Sequence, residues 1–278
     1  MARCLVVNAN DFGMSRGVND GIASAHTRGI VTSASLCAIG EAFDDAVSMA
    51  RTLPSLGIGV HLAWVDGRPL SDPARIPTLV DGTGRLHDRR AFFRRYVQGR
   101  ISLDEVVQEA AAQTEWVRAA GIMPDHLNGE QHLHALPGIF EGVVSLARRY
   151  RIPAVRRTRE PLNDVCPRGY PKRLVLRFAD ALHAVGTGNE IWFPQWCFGL
   201  ADSCYLTERR LVRLLAAVPN GISELMCHPS VSGGEPGARM RELAALTSGA
   251  ARAAVASAGV TLTTFGAYQP AACAAQEA

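Results

Sequence analysis

The sequence lacks the markers of several protein classes. It has no run of about 18 apolar residues, so no membrane-spanning helix is expected. Its seven cysteines (4, 37, 166, 197, 204, 227 and 273) are odd in number and form no C-x-x-C pair. That argues against a disulfide framework or a cysteine-rich zinc site and predicts buried thiols in a reducing cytoplasm. Charge is modest, 20% of residues with a net +3, too little to imply a nucleic-acid partner. The first strand-like run is followed by N-A-N-D-F-G, not G-x-G-x-x-G, and no Walker-type loop occurs, which speaks against a nucleotide fold. MARCLVVNAN enters that strand with no basic-then-apolar leader, so no secretory signal is expected and a cytoplasmic location is. Repeats, low-complexity tracts and linkers are missing too.

What is present is a 278-residue chain with 47% hydrophobic residues, enough for a substantial core. Strand-like runs fall at 4–8, 32–38, 57–62, 124–128, 154–157, 223–227 and 261–264. Helical patterns lie between them, at 17–28, 43–52, 103–119, 138–150, 171–185, 208–218 and 238–257. In 103–119, Val106, Val107, Ala110, Thr114 and Val117 recur at helical steps and define one apolar face. This alternation predicts an α/β fold with a parallel sheet, either open and doubly wound or closed into a barrel, and the missing glycine fingerprint favours the barrel. The expectation is one (β/α) barrel over residues 1–270, with about seven parallel strands and a tail at 271–278. Two long connections, 64–103 and 158–206, are expected over the active face.

The polar residues of interest sit where predicted strands end: Asn10 and Asp11, His61, then Asn128, Glu130, His132 and His134, and finally Glu224 and His228. In a parallel barrel these ends converge on one face. Gathered carboxylates and imidazoles are what a divalent ion needs, with a further carboxylate as base and a histidine as acid. Alternative structural roles are an Asp11 helix cap, though Ser15 is better placed, and a core position for His61. Three imidazoles and a carboxylate in H-L-N-G-E-Q-H-L-H are harder to explain by packing.

These residues resemble the YdjC-like carbohydrate deacetylases, which include chitooligosaccharide deacetylases. The resemblance covers about residues 3–160 and resumes at ELMCHP, through VNANDFGMS, GIVTSASL, GVHL and DHLNGEQHLHALP. VNDGIASAH, GRPL, IPTLVDGTGRL and AVRRTREP most resemble the hopanoid-biosynthesis-associated members. The resemblance implies a distorted (β/α) barrel of the polysaccharide-deacetylase type that removes an N-acetyl group from an amino sugar, free or lipid- or aglycone-linked. It implies one divalent ion (Zn, Mg or Mn) on Asp11 and His61, with His228 as acid or substrate-orienting group, and a homodimer. Asn10 stands where the family has its base aspartate, and Glu130 where it usually has a third, histidine, ligand. An amide cannot take a proton from water, so Asn10 cannot be a general base. Glu130 is then a metal ligand or a relocated base. The alternatives are a deacetylase with rearranged groups, a related amide or ester hydrolase, and a catalytically impaired sugar-binding protein.

His132, His134, Arg156, Glu160 and Trp196 are further candidates for holding sugar, Arg156 and Glu160 as a pair and Trp196 with Trp192 and Phe198 as an aromatic patch. HDRRAFFRRY reads either as a solvated helix with both phenylalanines inward or as a lid touching anionic headgroups, a peripheral membrane contact.

Overall fold

The computed structural model describes residues 2–161, 170–181, 190–200, 205–232 and 237–268. In chain order the elements are β1 (Arg3–Phe12), α1 (Arg16–Arg28), β2 (Ser33–Leu36), α2 (Phe43–Thr52), β3 (Gly57–Leu62), α3 (Arg89–Val97) and α4 (Leu103–Ala119). They continue with β4 (His126–Gly129), α5 (Ile139–Tyr150), β5 (Ala154–Val155), α6 (Tyr170–Ala181), β6 (Trp196–Phe198) and α7 (Glu208–Ala216). The last are β7 (Gly221–Cys227), α8 (Ala238–Leu246), α9 (Gly249–Ser257) and β8 (Val260–Leu262).

Seven strands run parallel in the order β5-β4-β3-β2-β1-β7-β6 and curl into a distorted barrel with helices outside. The early part of β1 pairs with β8, and Asn8 to Phe12 pair with β2 further along. The two outer strands are joined by the segment leading into β6. Trp192 donates to Pro153 O and accepts from Val155 N at 2.9 and 3.2 Å, and Trp196 to Phe198 then pair with β7. Trp192, stacked on Phe265 at 5.5 Å, belongs to a small cluster with Cys4, Val6 and Ile222 near the start of the strands. It fills one end of the barrel by packing.

A bulge in β1 sets up the opposite end. Register slips between Ala9 and Phe12, and Asp11 takes φ 68°. Strict alternation would send residues 10 and 11 to opposite faces, whereas the bulge re-aims the backbone so that both enter the barrel mouth. Asp11 is not the cap of α1. Ser15 is, accepting from Val18 N at 3.3 Å.

The long connection after β3 is tied down by α4. Apolar Val106, Ala110 and Val117 face the core, while Glu109, wholly buried, accepts from Leu70 N (3.0 Å), Ser71 N (2.9 Å) and Gln113 Nε2 (2.8 Å). Gln113 in turn brackets the backbone of Ala63, and Glu105 accepts from Thr78 N at 2.7 Å. The connection is thus anchored twice, by Trp64, Ile76, Leu79 and Leu86 buried in the core and by side-chain acceptors for its backbone donors.

Several boundaries differ from the sequence reading. The stretch 158–206, read as a connection, contains β6, three residues too few for alternation to show. The pattern at 238–257 is two helices, because Ser248 caps α9 and interrupts the run. α3 is a helix inside 64–103 with Phe92 buried but Phe93 47% exposed, so only one of the two phenylalanines turns inward. Cys4, Cys37, Cys197 and Cys227 are buried and form no disulfide, while Cys166, Cys204, Cys273 and the 271–278 tail lie outside the described residues.

Glu109→Ala leaves the Leu70 and Ser71 N–H groups without their acceptor and the Gln113 amide with Ala63 O alone. It is expected to lower unfolding free energy by about 2–4 kcal/mol, read as a fall in urea midpoint at unchanged m-value. A change below roughly 0.5 kcal/mol would show that the loop finds its acceptors elsewhere.

Candidate active site

The carboxyl ends of β1, β3, β4 and β7 bring together residues distant in sequence. Asp11 Oδ1 lies 3.4 Å from His61 Nε2, and Asp11 Oδ2 accepts from an Arg239 Nη at 2.5 Å. Burial works against the Asp11 carboxylate, but the His61 hydrogen bond and the charges of His228, His61 and Arg239 outweigh it and hold it well below the usual carboxylate range.

His61 is oriented by a chain of hydrogen bonds that starts just before β4, at the amino end of the strands. A carboxylate can only accept, so Asp125 Oδ1 takes the Nδ1–H of His126 at 2.7 Å. A neutral His126 then presents Nε2 as acceptor to the Ser35 hydroxyl at 2.9 Å. Ser35 Oγ accepts from Asn128 Nδ2 (2.6 Å) and Asn8 Nδ2 (2.8 Å), which fills both lone pairs. Asn128 Oδ1 is thereby turned to His61 and receives its Nδ1–H at 2.7 Å. Nε2 of His61 is left facing the Asp11 carboxylate, either as a second N–H or as a lone pair with a cation between them.

That arrangement bears on a metal. Two ligands of one tetrahedral ion, each at roughly 2.1 Å, stand about 3.4 Å apart, the separation found here. The pair fits, and the third ligand is not assembled with it. Among the described residues no group of three His, Cys, Asp or Glu is close enough to hold an ion. Glu130 lies near enough to feel both groups. Burial pushes its carboxyl up to about 7, His61 opposing and the Asp11 and Asp66 charges adding to the rise. It lines a cleft of about 560 Å³ with Met14, Cys37, Gly40, Asp66 and Arg68, a volume suited to a small ligand. The Cys37 thiol in that cleft, pushed up to about 12 by burial and by Glu130 and Asp11, stays protonated and is no nucleophile.

Beneath the mouth, Arg156 and Glu224 form a wholly buried pair, Nε and Nη2 both donating to Oε1 at 2.9 and 2.6 Å. Burial opposes the guanidinium charge, and Glu224 beside it restores that charge, so it stays above its ordinary value. The same Nη2 donates to Asn10 Oδ1 at 2.9 Å, which turns Asn10 Nδ2 to His228 Nε2 at 3.3 Å. Burial lowers His228 to about 4, against the raising effect of Asp11, so the imidazole is neutral near pH 7.

The remaining predicted residues are placed less uniformly. His132 and His134 are buried beside the cluster, and Gln131 and His132 are both left-handed in the tight turn that follows β4. Arg156 pairs with Glu224 rather than Glu160, whose carboxylate accepts from Gly199 N at 2.9 Å. Trp196 is level with Ser223, well before the end of β7, and lies under the Arg159 guanidinium at 4.8 Å. Ser35 and His126 lie in the stretches GIVTSASL and H-L-N-G-E-Q-H-L-H but have no role of their own in the sequence reading. Arg239 and Glu242, which accepts from His228 N at 2.6 Å, are not singled out there, since these roles exist only through partners far along the chain.

A parallel barrel with a carboxylate–imidazole pair and a cleft at its strand ends is the architecture of a (β/α)-barrel enzyme. The chain belongs to the YdjC-like protein family, whose model matches residues 4–257. It is 32% identical over 273 residues to a carbohydrate deacetylase of Geobacillus stearothermophilus, covering 95% of this chain and 98% of that one. It is also 32% identical over 268 residues to a chitooligosaccharide deacetylase of Salmonella paratyphi B, covering 93% and 96%. The crystal structure of an Enterococcus faecalis protein described as a cellobiose-phosphate cleavage protein superposes with TM-score 0.77 at 25% identity, over 95% of this chain and 98% of that one.

The hydrogen-bond chain makes a spectroscopic prediction. In ¹⁵N spectra His61 is expected as the Nδ1–H form, and Asp125→Asn is expected to release it into a mixture of tautomers. A His61 that carries its proton on Nε2 alone in the parent protein would show that the chain runs the other way.

Proposed function

We propose that the chain is a carbohydrate N-deacetylase that hydrolyses the acetamide of an amino sugar, free or carried on an aglycone. The observation that carries this reading is the oriented Asp11–His61 pair at the mouth of a barrel whose relatives are named as carbohydrate deacetylases.

Asp11 and His61 would hold one divalent ion, which when bound would polarise the acetamide carbonyl and acidify a water. The imidazole donor and the tetrahedral separation of the pair suit Zn, with water or Glu130 completing the set, whereas octahedral Mg or Mn would draw the two groups to about 3.0 Å. Arg239 orients Asp11 and the Asn128 amide orients His61, each from the side away from the pair. Proton abstraction falls to Glu130. Asn10 cannot accept a proton, and its amide is engaged on both atoms by Arg156 and His228. His228 is neutral, with Nε2 satisfied by Asn10, and so acts as a hydrogen-bonding group that orients substrate rather than as a ready acid.

A second reading, a sugar-binding protein with impaired catalysis, is favoured by Asn10 itself. Elemental analysis and acetate release from N-acetylglucosaminyl oligosaccharides separate the two. The expected result is about one ion per chain, lost in His61→Ala, with measurable release. Glu130→Gln is expected to keep the ion and lose roughly 10²–10⁴ in turnover. Loss of the ion in that variant would instead make Glu130 a ligand. Asn10→Asp is expected to change turnover by less than about tenfold, and a gain of the 10²–10⁴ scale would support the impaired reading.

A further inference from the structure

The barrel mouth is bordered by two helices whose outer faces the proposed reaction does not use. α3 touches the segment after β4 through Arg89, which donates to Gln131 Oε1 at 3.1 Å, and through Tyr96 Oη, which donates to Pro137 O at 2.7 Å. α6 approaches the same segment, with Leu176 buried in a cluster that includes Ala135. Phe92 of α3, and Leu176 with Asp180 of α6, are turned inward, and each helix presents an apolar pair one turn apart to solvent. In α3 the pair is Phe93 and Val97, 47% and 67% exposed, and in α6 it is Leu174 and Phe178, 44% and 68% exposed. Exposed aromatic and aliphatic residues at four-residue spacing on two helices that meet the same segment are unusual where nothing covers them.

The charges within α3 are of one sign. Residues 89–100, RRAFFRRYVQGR, contain five arginines and no acidic residue. Arg89, Arg90 and Arg94 are exposed on the same helix as Phe93 and Val97. Guanidinium groups beside an apolar ridge match the headgroup and outer acyl layers of an anionic bilayer, where arginine stems lie along apolar surface and the heads meet phosphate. A protein partner of the usual kind would need a wider continuous apolar patch than two separate ridges provide.

We propose that the rim formed by α3 and α6 docks the protein on an anionic lipid surface, with Phe93, Val97, Leu174 and Phe178 inserted at the interface and Arg89, Arg90 and Arg94 on phosphates. The cleft at Glu130 then opens beside the bilayer, because Arg89 is bonded to the residue that follows Glu130. The shallow insertion of two one-turn ridges makes attachment reversible and dependent on charge.

The test is co-sedimentation of the full chain with large unilamellar vesicles, either phosphatidylcholine alone or phosphatidylcholine with phosphatidylglycerol at about 30%, an anionic fraction chosen to give a strong surface potential. Binding is expected only to the anionic vesicles and is expected to fall as salt is raised. Replacing Arg89, Arg90 and Arg94 by Gln should weaken it about a hundredfold, at roughly fivefold for each arginine. F93S/V97S should weaken it as well while leaving the thermal midpoint of these exposed positions unchanged. Vesicle binding requires no turnover, so an inactive protein that binds still supports the inference. Absence of binding to anionic vesicles, or equal binding by the parent and both variants, overturns it. So does a dimer, seen by analytical ultracentrifugation without lipid, that F93S/V97S dissociates, since the ridges would then cover one another in a second copy of the chain.

Discussion

The barrel interior is organised around a charge that cannot leave it. Arg156 is wholly buried, and an ion of that size in a low-dielectric interior is tolerable only when paired and hydrogen-bonded. Glu224 on β7 supplies the counter-charge and Asn10 on β1 supplies a further acceptor, so the end of β5 is bound to both strands across the barrel. The geometry of Asn10 follows from this. With its carbonyl committed to Arg156, its amide nitrogen must face His228, and the imidazole of His228 is fixed in turn. Replacing the pair by apolar side chains of similar volume would cost little energetically, but it would free Asn10 and His228 together.

A second buried network works in the same manner from the other wall. Asp125 sits before β4, with Oδ2 accepting from Gly266 N at 2.9 Å, and the direction of every hydrogen bond from His126 to His61 follows from its inability to donate. The two networks meet near the β1 bulge, where Asn8 donates to Ser35 while Asn10 accepts from Arg156. The mouth is thus assembled from two chains of polar side chains inside a shell of aliphatic packing, and each chain has only one self-consistent proton arrangement with a neutral His126. This is preorganisation in the ordinary sense, with orientation fixed before any ligand arrives.

Much of the architecture was legible from periodicity. The strand at 57–62 and the helices at 43–52 and 103–119 coincide with the observed elements, because each has a strong apolar pattern and clear flanking signals. The elements that escaped were those whose identity depends on partners. β6 is three residues long and is a strand only because β7 lies beside it. The split between α8 and α9 turns on one Ser248 cap in an alanine-rich run that would otherwise continue. At the site, strand-end placement drew attention to Asp11, His61, Glu130 and His228, while pairing Arg156 with Glu160 followed sequence proximity and missed Glu224, 68 residues away.

The sequence by itself determined the alternation of strands and helices, and hence a parallel sheet whose polar strand ends share one side, with the missing glycine fingerprint favouring the barrel over the open form. It also determined that position 10 carries an amide and position 130 a carboxylate, which bounds the available proton chemistry whatever the fold does. Only the tertiary structure decided which polar groups meet. Register and the β1 bulge brought Asp11 to His61, burial raised Glu130 to about 7, and long-range contacts joined Arg156 to Glu224 and Arg239 to Asp11. The physical reason is that periodicity is set by neighbours a few residues apart, whereas the field and the hydrogen bonds at a side chain are set by whatever the fold places within a few ångströms of it.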